Sequence, residues 1–181
     1  MTAAERVRVE RGDITKVDVD VIVNAANEAL IPGGGVDGAV HRAAGRELFQ
    51  ACRAIPEVRP RVRCPTGEVR LTPGFGLLAR HVIHAVAPVW RNGRSGEPSA
   101  LRACYRNAIA VAAKEGFRSV AFPALGCGAF GTPIDEGTAI AVTEVVRALE
   151  RKTSVAFVVL VAFEADVERG FLKALDAARS G

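Results

Sequence analysis

The sequence predicts an α/β fold of three layers, α/β/α, in which helices cover both faces of a central sheet that is mixed but mostly parallel. Three observations predict it. Short runs rich in β-branched residues alternate with segments whose apolar residues recur at helical spacing. The last run, residues 155–163, is unbroken in its apolar character and suits a strand buried on both faces. The first two strands follow one another with no helix between them, so the sheet is expected to be mixed.

Residues 6–10 alternate as a strand does, and residues 19–23 form a β-branched run leading into Asn24-Ala25-Ala26-Asn27, with a loop at Gly12-Asp13 between them. Pro32-Gly33-Gly34-Gly35 is a glycine loop that runs into a helix start over residues 36–45. After a polar, proline-bearing stretch at 56–65, residues 67–72 and 81–86 read as strands joined through Pro73-Gly74-Phe75-Gly76. The pattern breaks at 91–98. Residues 101–114 form a helix ending at Gly116, and 119–123 is a short apolar strand. A second glycine loop follows, Gly126-Cys127-Gly128-Ala129-Phe130-Gly131. Residues 134–151 form a helix, 154–163 the buried strand, and 165–179 a closing amphipathic helix.

A chain of 181 residues is long enough for one domain with a substantial core and short for two. No linker divides it, so one domain over residues 1–181 is expected, with its core at about 6–178. Apolar residues make up 49% and charged residues 24%, the profile of a folded enzyme or binding module rather than a disordered or fibrous chain. The longest apolar run falls well short of the ~20 residues of a membrane-spanning helix. The N-terminal residues show no apolar segment behind a basic cluster, which makes a cytoplasmic location the default expectation. Cys52, Cys64, Cys104 and Cys127 lack CxxC spacing, and only His41, His81 and His84 could complete a metal site, so free thiols and no metal are expected. The net charge of +4 comes from scattered arginines and suits an anionic small ligand; it does not argue for nucleic acid.

In open α/β sheets ligands bind beyond the carboxyl ends of the strands, where both glycine loops fall. Glycine lets backbone N–H groups approach an anion closely, and a helix starting just after the loop adds its positive dipole end. Two such loops can cradle a diphosphate. Neither matches the dinucleotide fingerprint G-x-G-x-x-G at the first strand or the G-K-[ST] ending of a P-loop, which argues against a dehydrogenase or a nucleoside triphosphatase.

The segments Gly12-Asp13-Ile14-Thr15, Asn24-Ala25-Ala26-Asn27, Gly33-Gly34-Gly35-Val36-Asp37-Gly38-Ala39-Val40-His41, Cys64-Pro65-Thr66-Gly67-Glu68, Val82-Ile83-His84 and Ala121-Phe122-Pro123-Ala124, in that order, resemble the macrodomain family and, within it, the MacroD-type branch. The likeness implies an ADP-ribose pocket. Asp13 would accept a hydrogen bond from the adenine amino group, with the Ile14 N–H beside it; an Asp in this place can also simply cap its turn. Phe163 would stack on adenine, although its position alone suggests core. Asn27 would hold the distal ribose hydroxyls and assist the chemistry, and Asn24, counted with the ligand-binding residues, would brace the ligand loop from the strand end. Gly126, Cys127, Gly128 and Ala129 would wrap the diphosphate with backbone N–H groups while Phe130 packs on the distal ribose. Gly33, Gly34, Gly35 and Val36 would close from the other side. Asp37 would position a water near the anomeric carbon. Its bland alternative is a carboxylate at a helix N-terminus, worth ~0.3 to 1 kcal/mol. His41 shares a helix face with Asp37 and suits helix packing, and His84 reads as a core histidine.

The chain also departs from the branch. Its second loop lacks the usual Ser-Thr-Gly opening and so the hydroxyl contacts to phosphate, Pro32 replaces the first of a run of glycines, and Ala87 stands where Gly is common. Cys127 can be read as a nucleophile, but no histidine is near it in sequence. The resemblance implies a cofactor-free hydrolase that removes mono-ADP-ribose from acidic residues of proteins or deacetylates O-acetyl-ADP-ribose, with a non-catalytic ADP-ribose reader as the alternative. ADP-ribose or ADP-ribosylated proteins are the expected partners, and a monomer is the expected state. RNA or poly(ADP-ribose) binding through Arg59, Arg61 and Arg63 would rest on a short basic loop without interleaved aromatics.

Overall fold

Strands β1 (Val7–Arg11), β2 (Val21–Ala25), β3 (Val69–Pro73), β4 (His81–Ala85), β5 (Ser119–Phe122) and β6 (Phe157–Ala162) form one sheet, ordered β1-β6-β5-β2-β4-β3, in the computed structural model, which describes residues 1–180. Every pairing is parallel except β3 with β4, where Arg70 stands opposite His84 and Thr72 opposite Val82. The sheet is mixed and mostly parallel, as the sequence predicts, but for a different reason. β1 and β2 are not neighbours: β6 and β5 lie between them, and the antiparallel pair is the β3–β4 hairpin at the far edge.

The alternation of side chains along each strand divides the core in two. Val21 and Val23 of β2 pack with α3 (Glu97–Lys114), α4 (Ile134–Glu150) and α5 (Ala165–Ser180), whereas Ile22 packs with α1 (Gly35–Ala44) and α2 (Arg46–Ala54). Val158 and Leu160 of β6 join the first cluster, Val159 and Val161 the second, which is the two-faced burial expected of that apolar run. Helix α2 is not separable in the sequence pattern. Gly45 ends α1, the chain restarts as a helix at once, and the only residues α2 buries are Leu48 and Cys52. One i, i+4 pair is too little to register as an apolar face.

Two polar side chains fix the ends of elements. Arg6 donates to the carbonyl of Leu149 (2.8 Å), which the end of α4 leaves open, and to those of Ala156 (2.9 Å) and Val155 in the segment that leads into β6. Buried Glu97 organises the 91–98 break, accepting from the amides of Ser95 (2.6 Å), Arg91 (3.0 Å) and Asn92 (3.2 Å). Hydrogen bonds from its own amide and from these neighbours outweigh burial and hold its pKa at about 2. The same loop supports the second glycine loop, because the Trp90 N–H donates to the Phe130 carbonyl at 2.7 Å.

β1, β6, β5 and β2 run in one direction, so their carboxyl ends share one rim of the sheet. The turns that leave this rim, at Gly12-Asp13, after Ala25, after Phe122 and at Phe163, carry the residues that follow.

Candidate functional site

A cleft with two lobes crosses this rim. One lobe, about 540 Å³, is bounded by Asp13, Ile14, Cys127 and Phe163; the other, about 320 Å³, by Asn27, Asp37, Ala129 and Phe130. Gly35, Val36, Ala124 and Gly128 line both, so the lobes meet where the two glycine loops face each other. These volumes are those of small-molecule sites.

Which backbone amides are free follows from the local hydrogen bonds. In the first loop Gly34 is the N-cap of α1, so the N–H groups of Gly34, Gly35, Val36 and Asp37 have no intrahelical acceptor. The Gly33 N–H is taken: it donates to Asp37 Oδ2 at 2.6 Å. In the second loop the Cys127 N–H donates to the Ala124 carbonyl (3.2 Å) and the Gly131 N–H to the Gly128 carbonyl (3.0 Å), leaving the intervening amides of Gly128, Ala129 and Phe130 without an acceptor among the described residues. The expectation that Gly33 and Cys127 offer amides to a phosphate is therefore corrected: both line the cleft, but their N–H groups shape their own loops. Gly126 is required for the second loop, with φ of +77° and an added Cβ falling 2.6 Å from Thr132 Oγ1.

At the larger lobe Asp13 caps the short turn Ile14–Lys16, its Oδ1 accepting from the Thr15 N–H (2.9 Å) and the Thr15 hydroxyl (2.8 Å). The capping alternative read from sequence is thus realised, while Ile14, first in the turn, keeps a free N–H. Phe163 lies just beyond β6 and is 69% exposed, which overturns the core alternative and leaves an apolar ring open to the lobe. Its carbonyl is pinned by Arg11 Nε at 2.9 Å.

At the smaller lobe Asp37 is 5% exposed and both of its oxygens are engaged. Asn24 Nδ2 donates to Oδ1 at 2.6 Å, the Gly33 amide to Oδ2, and His41 Nε2 lies 3.5 Å from Oδ1. Asn24 is fully buried and does not line the cleft, so its place among the ligand-contacting residues is corrected; it contacts Asp37 instead. Asn27 closes its own loop, donating from Nδ2 to the Ile31 carbonyl (2.7 Å) and accepting the Ile31 N–H at Oδ1 (3.2 Å), and still lines the lobe.

His84, buried beneath Asn24, has its pKa lowered to about 3, by burial first and by nearby His41 second. Free imidazole titrates near pH 6.5, so the unfolded chain takes up a proton there that the folded chain refuses until about pH 3. Stability is expected to fall as pH drops from about 6.5 toward 3, with a slope contribution approaching 1.4 kcal/mol per pH unit, roughly one proton's worth. Denaturant melts of wild type and His84→Asn across that range check this: the variant should show the shallower dependence.

Cys127 is a thiol rather than a nucleophile, because burial, and then the Asp166 carboxylate, push its pKa up to about 11. No cysteine is disulfide-bonded, and no group of metal-ligating side chains occurs, among the described residues. Among them no helix is long and apolar enough to cross a membrane. Of the basic loop, Arg59 pairs with Glu28 (3.4 Å) and Arg63 with Glu57 (3.2 Å), which neutralises much of its charge. Sequence reasoning missed Ala39, Arg42, Glu164 and Val167 on the larger lobe. Val36, Ala39 and Arg42 stand at helical spacing on α1, a signal that would have found two of them.

Residues 23–141 match the family model described as Macro domain, and the chain belongs to the macro domain family. A macro domain-containing protein of Xanthomonas axonopodis pv. citri is 53% identical over 171 residues, covering 94% of this chain and 95% of its own. The O-acetyl-ADP-ribose deacetylase of Escherichia fergusonii is 49% identical over 140 residues, 77% of this chain and 78% of that protein. Among solved structures, the Oceanobacillus iheyensis macrodomain with MES bound superposes with a TM-score of 0.89 at 38% identity, over 95% of this chain and 91% of the other. The Trypanosoma brucei macrodomain in complex with ADP-ribose does so with a TM-score of 0.84 at 37% identity, over 94% and 69%.

Proposed function

We propose that this chain binds ADP-ribose along the two-lobed cleft and hydrolyses esters of it, releasing mono-ADP-ribose from acidic side chains of proteins or acetate from O-acetyl-ADP-ribose. The observation that carries the reading is the pair of glycine loops, which carry unengaged amides and line one cleft between an aromatic ring with a carboxylate at one end and a buried carboxylate at the other. Adenine lies between Phe163 and the Asp13–Ile14 turn, the diphosphate lies on the amides of Gly34, Gly35 and Val36 and of Gly128, Ala129 and Phe130, and the distal ribose lies beside Asn27, Phe130 and Asp37. The relatives named for an ADP-ribose complex and for deacetylation support the ligand and the reaction class.

In this reading Asp37 orients a water in the smaller lobe. The water oxygen bonds to the anomeric carbon as the acceptor carboxylate leaves with its electron pair, and the proton passes to Asp37 or to the substrate's diphosphate. With an acetyl ester the same water attacks the acetyl carbonyl, the acyl C–O bond breaks, and the ribose oxygen leaves with its electron pair and takes up the water's proton, releasing acetate. One observation favours a non-catalytic reader instead: both oxygens of Asp37 are already engaged, Oδ1 by Asn24 of β2 and Oδ2 by the Gly33 amide. Calorimetry with ADP-ribose beside a de-ADP-ribosylation assay separates the two, since binding without turnover leaves only the reader.

Because Phe163 is exposed, Phe163→Ala should leave the melting temperature unchanged within about a degree while weakening ADP-ribose binding roughly tenfold, from the ~1 kcal/mol or more of a lost stacking contact. Calorimetry and thermal melts of the same variant measure both. Unaltered affinity would move adenine elsewhere.

A further inference from the structure

Asn24, Asp37, His84 and Thr72 form a buried chain of hydrogen bonds that the proposed reaction does not by itself explain. It begins at the smaller lobe and ends on β3, the one antiparallel strand. Asn24 Nδ2 is 2.6 Å from Asp37 Oδ1 and 3.2 Å from His84 Nδ1, and His84 Nε2 is 2.9 Å from Thr72 Oγ1. Asn24 Oδ1 has no partner among the described residues, so nothing on that side decides which way the carboxamide faces. The decision falls to the two groups that Nδ2 touches. An amide nitrogen carries two hydrogens and no acceptor, so with one hydrogen on Asp37 the other must meet a lone pair on His84. Nδ1 is then the bare nitrogen and Nε2–H donates to Thr72. The opposite tautomer would set an N–H against the amide hydrogens. Turning the amide to escape that contact would press Oδ1 against the Asp37 carboxylate at the 2.6 Å separation.

We infer that His84 is a positioning residue of the smaller lobe: its Nδ1 lone pair fixes the Asn24 amide, which holds the Asp37 carboxylate and, through it, the Gly33 turn. Also beside the ring are His41 from α1, with ring centroids 6.5 Å apart, and Cys52 from α2, its sulfur 3.7 Å from Nε2, while Arg70, opposite His84 on β3, is paired with Glu68 at 2.8 Å. The Cys52 thiol is pushed up to about 12, chiefly by burial, so it stays neutral, and burial keeps His84 itself neutral. β4 and β3 thereby contribute to a reaction centre whose other parts come from β2 and α1.

The inference rests on the hydrolase reading for its kinetic consequence and can be tested apart from it. His84→Leu removes the lone pair, whereas His84→Asn offers an amide oxygen close to where Nδ1 stood. His84→Leu should lower kcat at least about tenfold, the scale of a reacting group displaced by a fraction of an ångström, with the dissociation constant of ADP-ribose changed less than about threefold. His84→Asn should recover most of the loss. If the two variants fall together, or His84→Leu keeps full turnover, the positioning role is wrong. Should wild type show no turnover, the hydrolase reading fails alone, and nitrogen-15 spectra of the wild-type protein still decide this one. The expected result is the Nε2–H tautomer of His84 from about pH 5 to 8, with the Gly33 amide resonance shifting in His84→Leu. An Nδ1–H tautomer, an imidazolium in that range, or a Gly33 resonance indifferent to the substitution overturns it.

Discussion

Asp37→Ala is expected to reduce turnover of an ADP-ribosyl ester by about a hundredfold or more, the range lost when a positioned general base is removed. The same change strips the acceptor from the buried Asn24 Nδ2, which left uncompensated costs roughly 1–3 kcal/mol, and from the N–H of exposed Gly33, which water can satisfy. A fall in melting temperature should therefore accompany the loss of activity. Asp37→Asn separates the effects. Its amide oxygen can still accept from one of the two donors, so it should regain part of the stability and little of the turnover. Rate measurements and melts on both variants check this, and turnover that survives Asp37→Ala would remove Asp37 from the chemistry.

Gly126→Ala is expected to weaken ADP-ribose binding by more than about tenfold. Two penalties combine. A residue with a Cβ held at φ +77° costs roughly 1–2 kcal/mol, and that Cβ would also sit 2.6 Å from Thr132 Oγ1, forcing one of them to move. The Thr132 N–H donates to the Gly126 carbonyl at 2.9 Å, so the displacement runs directly into the turn that presents Gly128, Ala129 and Phe130. Calorimetry on a variant shown by circular dichroism to be folded measures the effect. Wild-type affinity would mean that this loop does not need its present shape to hold the ligand.

Much of the fold was legible because period is local. Val21, Ile22 and Val23 alternate between two cores, and the run through Val158–Ala162 is apolar on both faces, so strand number and type could be read directly. Strand order could not. The placement of β6 and β5 between β1 and β2 depends on crossovers that leave no mark in the intervening residues, which is why the mixed character was inferred from the wrong pair. In the candidate site, glycine spacing located both loops, the family resemblance supplied Asp37 and the other expected contact residues, and all of these except Asn24 line a lobe. Hidden from sequence were the hydrogen bonds that spend the amides of Gly33 and Cys127, and the convergence of Asn24, His84 and Thr72 beneath Asp37. Those depend on where three strands come to rest beside one another.

In the proposed function the two glycine loops face each other as an amide cradle for a diphosphate. Nitrogen-15 spectra recorded during a titration with ADP-ribose test it most directly. The amides of Gly34, Gly35, Val36, Gly128, Ala129 and Phe130 should shift together and saturate at one dissociation constant, while those of Gly33 and Cys127 move far less. Shifts confined to one loop, or centred away from both, would contradict it.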